Sequence, residues 1–83
     1  MLKRKGHLIL VASREMKEAH ALLARYPTTT HKDAMLQKMA KITHLIELLT
    51  LPNSDHDLTR LNAELDRKIE NLMSLIRAVK LEH

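Results

Sequence analysis

Two prolines, Pro27 and Pro52, divide a chain of 83 residues into three apolar-periodic segments, and this division limits the available folds more than any other feature. In the first segment Ile9, Ala12, Met16, Ala19, Leu23 and Tyr26 recur at alternating intervals of three and four, which draws one stripe along a helix. Leu8 and Leu22 widen that stripe, while Arg14, Lys17, Glu18 and Arg25 fall largely outside it. The run Leu8–Val11, read alone, also fits a strand, but the helical spacing continues straight through it. His20 stands at the edge of the stripe, where its ring is expected to pack against aliphatic neighbours.

Pro27 disfavours helical geometry at Tyr26, and the β-branched Thr28 and Thr29 favour extended backbone, so the first helix ends there. Thr30 and Asp33 have the spacing of a capping box, with Asp in place of the usual Glu, and predict a new helix start. In the second segment Met35, Met39, Ile42, Ile46 and Leu49 form the stripe, and Leu45 and Leu48 widen it to about half the helix circumference. Because this segment is the middle one and its apolar arc is wide, it is expected to be the wall shared by both neighbours. Pro52 then stops the helix, and Ser54 with Asp55 and Asp57 predicts the next N-terminus. Leu58, Leu61, Leu65, Ile69, Leu72, Ile76 and Val79 make the third stripe. Two successive four-residue steps between Leu61 and Ile69 relax left-handed supercoiling and argue against a long regular coiled coil.

The fold expected is all-α: an antiparallel up-down-up bundle with helices near residues 5–26, 31–51 and 55–80, open to completion by dimerisation. A single glycine and two prolines are too few for the turns of a sheet protein. Tyr26 is the only aromatic residue, so the core must be aliphatic. Residues 1–80 read as one helical domain with a short basic leader. Leu81, Glu82 and His83 resemble the start of a vector-derived polyhistidine tag and are expected to lie outside the domain.

Helix length raises one further expectation. At ~1.5 Å per residue the third helix spans roughly 38 Å and the second roughly 31 Å. With their ends level at the Pro52 turn, Ile76 and Val79 project past the second helix, beside the Tyr26–Thr30 connection. Either that connection covers them or another chain does. Met73, Ile76, Val79 and Tyr26 are therefore the candidate partner-binding residues.

The charge is unevenly distributed. Residues 1–26 carry six basic and two acidic side chains, whereas residues 53–83 carry five and six. Lys3, Arg4, Lys5, Arg14 and Lys17 are the candidate contacts for an anion or nucleic acid, which would be held through phosphate. Stacking on single strands is disfavoured with one aromatic residue. There is no cysteine, no glycine-rich phosphate loop and no HExxH spacing, and the histidines never pair at i,i+3 or i,i+4. No catalytic residue, metal ligand or cofactor site is assigned, and the chain is not expected to be an enzyme. The uninterrupted apolar run Leu8–Ala12 is shorter than the ~7–15 residues of a secretory core, and none approaches the ~20 of a membrane span. The expected setting is cytoplasmic. The expected function is that of a small interaction module (adaptor, chaperone or inhibitor) offering an aliphatic helix surface to a partner or to its own copy. The alternative is a small regulator that binds nucleic acid through the N-terminal basic edge.

Overall fold

Each apolar stripe becomes one face of a helix, and among the described residues the chain contains α1 (Lys5–Arg25), α2 (Lys32–Leu49) and α3 (Asp55–Glu82), packed as a three-helix bundle. The structure is a computed structural model that describes residues 5–83. The expected boundaries agree with the observed ones to within one or two residues. The largest differences are α2 ending at Leu49, before Thr50 and Leu51, and α3 continuing to Glu82.

The caps explain where the helices stop. Ser54 accepts a 3.1 Å hydrogen bond from the Asp57 amide, with Asp55 and Asp57 in the first turn, as the Ser-led spacing predicts. At the end of α2, the Thr50 hydroxyl donates to the Glu47 carbonyl, and the Asn53 amide donates to the carbonyls of Leu48 (2.9 Å) and Leu51 (2.7 Å). Asn53 thus satisfies a carbonyl that Pro52, lacking an N–H, cannot.

The expected Thr30–Asp33 capping box does not form. His31 occupies the N-cap position and makes no side-chain cap bond, while the Thr30 hydroxyl donates instead to the Glu82 carboxylate. The helix begins at Lys32, one residue later than the box requires, so Thr30 is not at the N-cap position from which its hydroxyl oxygen could accept from the Asp33 amide.

The core is aliphatic and continuous. Leu8, Ala12 and Ala19 from α1 meet Met35, Met39, Ile42, Leu45 and Leu49 from α2, and Leu61, Leu65, Ile69, Leu72, Ile76 and Val79 from α3. Leu61, Leu65 and Ile69, the residues on either side of the irregular spacing, are all buried. His20, by contrast, is exposed rather than packed at a boundary.

The helix that the others share is α3, not α2. Its contacts with α2 and with α1 are both extensive, while α1 and α2 touch least. Stripe length accounts for this. The buried stripe of α3 runs unbroken from Leu61 to Val79 on a helix of 28 residues, against 18 for α2. At ~1.5 Å per residue α3 is about 42 Å long, which equals the 42 Å long axis of the molecule. Both shorter helices lie along it. Thr43 marks the lighter α1–α2 seam, with its hydroxyl bonded to the Met39 carbonyl at 2.9 Å and 3.7 Å from the Met16 sulfur.

Ile76 lies within this core and not beyond its end. Ile76→Ala should lower the unfolding free energy measured in urea by about 2–5 kcal/mol. A surface position would cost less than about 0.5 kcal/mol, and a loss that small would remove Ile76 from the core.

Candidate interaction surface

The tip of α3 is closed by its own chain. Ile76 is 3% exposed and Val79 0%, so of the two outcomes the sequence leaves open for this end, cover by the chain's own connection is the one found. Neither residue offers surface to a partner. The cover comes from the direction of α1, which runs parallel to α3 and brings Leu22, Leu23, Tyr26 and the following connection over the tip.

Leu81, Glu82 and His83, expected to stand apart from the domain, take part in this closure through their last two members. The Thr29 hydroxyl donates to Glu82 Oε1 at 2.6 Å, and the Thr30 hydroxyl donates to the other carboxylate oxygen. Thr29 is the one buried polar residue among those described, at 5% exposure, so its hydroxyl needs such an acceptor. The His83 ring stacks on Tyr26 with centroids 4.0 Å apart, and the Arg25 guanidinium lies 5.5 Å from the same Tyr26 ring. Lys80 adds an exposed ion pair with Glu18 at 2.5 Å. Of the four residues expected to meet a partner, Met73 alone keeps an exposed aliphatic side chain; Tyr26 is half-buried with a ring face taken by His83.

Met73, 38% exposed, borders a groove of about 430 Å³ between α1 and α3. Leu8 and Ile69 form its floor, at 3% and 2% exposure, and the half-buried Val11 lies beside them. Asp66 and Glu70 stand at one end, His7 on the α1 side, and Arg77 at the other end. An apolar floor with a charged rim has the anatomy of a contact surface. Leu10, Leu36, Leu51 and Leu81 are also exposed, but none of them lines this groove, and single exposed leucines are ordinary.

The basic residues fall on separate faces. Arg14 and Lys17 are exposed on α1; Lys3, Arg4 and the side chain of Lys5 lie outside the described residues. A second basic group, not singled out from the sequence, forms where α2 meets α3. There Lys41, His44, Glu64 and Lys68 line a groove of about 390 Å³. Lys38 belongs to the same group: the charge of Lys68 foremost, then desolvation and the charge of Lys41, hold its ammonium below the usual lysine range. Sequence spacing places Lys38 beside Lys41 but cannot place Lys68 beside either.

Among the described residues no three His, Cys, Asp or Glu side chains come together to hold a metal ion, and no helix is long and apolar enough to cross a membrane. In comparisons with known proteins, the chain matches no family model, no curated protein and no solved structure.

The Glu82 carboxyl is held down from 4.5 to about 2, first by the Thr29 and Thr30 hydroxyls and then by the Thr30 backbone and His83, against an opposing effect of desolvation. A depressed folded-state value means that the contribution is complete above the unfolded value and is lost as the pH falls towards about 2. The melting temperature of the wild type should therefore fall across that window more steeply than that of Glu82→Gln. Thermal unfolding followed by circular dichroism checks this, and superimposable pH profiles would show that the closure contributes nothing.

Proposed function

We propose that this protein is a non-enzymatic interaction module whose contact surface is the α1–α3 groove around Met73. The observation that carries the reading is the placement of an exposed, adaptable methionine beside an otherwise buried aliphatic floor. A thioether on a flexible unbranched chain fits varied apolar neighbours, and methionine is enriched where one protein surface meets another. The charged ends supply a polar rim that would fix the orientation of whatever docks. The surface has moved from the α3 tip, where the helix stripe alone placed it, to the side of the same helix. Met73 belongs to both.

The test is a photoreactive amino acid placed at position 73 in the cells that make the protein, with position 37 on the outer face of α2 as reference. A discrete protein adduct from position 73, absent from position 37, is the expected result. Equal, diffuse labelling from both positions would defeat the reading.

A second reading rests on a different observation. Arg14 and Lys17 are both exposed on α1, without an ion pair among the described residues, and continue the basic sequence Lys3, Arg4, Lys5. Such an edge would bind nucleic acid through phosphate, with affinity falling steeply as salt rises. Replacing Lys3, Arg4 and Lys5 together by Ala should then weaken DNA or RNA binding at low salt and flatten its salt dependence. Binding that is undetectable at low salt, or unchanged by the triple replacement, excludes this reading.

A further inference from the structure

Along the side of α3 that borders α1, the residues Asp66, Glu70, Met73, Arg77 and Lys80 follow a 4-3-4-3 spacing and form one stripe. The stripe is acidic before Met73 and basic after it. Lys80 is engaged by Glu18. Glu70 and Arg77 are both exposed and have no ion-pair partner among the described residues. They lie two helical turns apart, about 10.5 Å along the axis, and so cannot pair with each other as neighbours three or four apart do.

We infer that the occupant of the groove is a second copy of this chain, docked antiparallel about a two-fold axis at Met73. This rests on the groove being a protein contact surface, and it names the partner. A two-fold axis perpendicular to the helix reverses its direction. It therefore sets the acidic half of one stripe against the basic half of the other. Glu70 of each protomer then faces the partner subunit's Arg77, and the two Met73 side chains meet between them. Parallel docking would place Glu70 against Glu70 and Arg77 against Arg77, which is repulsive at both positions. The charge order thus selects one orientation of a self-complementary contact. It also places the two copies of α1 on the flanks of the paired α3 helices, as a four-helix arrangement with a shared aliphatic seam.

Sedimentation of the full chain from micromolar to millimolar concentration tests this, with far-UV circular dichroism confirming that each variant is folded. The wild type should show a concentration-dependent monomer–dimer equilibrium. Glu70→Arg and Arg77→Glu should each weaken it by about tenfold or more, because the axis repeats every repulsion. The first variant is basic at both positions and the second acidic at both, so mixing them in equal amounts should restore a dimer. The double variant E70R/R77E should also dimerise. A wild type that stays monomeric overturns the inference, as does a dimer indifferent to both single changes or a mixture that fails to associate. If the chain is monomeric yet position 73 labels a different protein, self-docking is overturned and the interaction reading stands. If neither is seen, both fail.

Discussion

The unbroken aliphatic face of α3 is the constraint on which the rest of this structure depends. From Leu61 to Val79 it offers six buried side chains on a single helix, and burying a leucine or isoleucine is worth about 1.5–3 kcal/mol. Neither shorter helix could cover that face alone. Lying side by side along it, α1 and α2 cover it together, and the small Ala12 and Ala19 on α1, both fully buried, add little bulk between the helices. The light contact between α1 and α2 follows: each is held chiefly by α3, and their own seam is secondary.

A helix longer than its neighbours must either expose its end or be covered by a connection. Here the parallel course of α1 and α3 brings the Tyr26–His31 connection to the place where α3 finishes. Thr29 and Thr30 then find an acceptor in Glu82, and Tyr26 finds a ring in His83. The Thr30 hydroxyl donates to Glu82, and α2 starts behind His31 with no side-chain cap. A polar clasp at the end of the bundle thus replaces a local cap at the start of α2, and the apolar tip is sealed. What stays open is lateral: the α1–α3 groove, where Met73 borders buried aliphatic side chains and opposite charges stand at the two ends.

Local and distant relations divide what could be read in advance. Helix existence, the Ser54 cap, the breaks at Pro27 and Pro52 and nearly every inward-facing residue follow from side-chain chemistry within a few positions and from the 3.6-residue helical period. Leu65, Ile69 and Leu72 could be placed inside from spacing alone. Of the candidate surface, only Met73 was legible, because it lies off the main stripe yet beside it; Leu8, Val11, Glu70 and Arg77 form a groove only once α1 lies against α3. The basic leader residues Lys3 and Arg4 fall outside the described residues, so the sequence remains the sole source for them.

The sequence by itself determined three amphipathic helices, their approximate ends and their aliphatic inner faces, since all of these depend on residues close along the chain. Only the tertiary structure decided that α3, and not the middle helix, is the shared wall, and that Ile76 and Val79 are enclosed. It alone joined Thr29 to Glu82 across 53 residues and brought Lys68 to Lys38. Periodicity states which side of a helix avoids water. It does not state which neighbour covers that side, because the neighbour is chosen by competition among all the apolar faces at once.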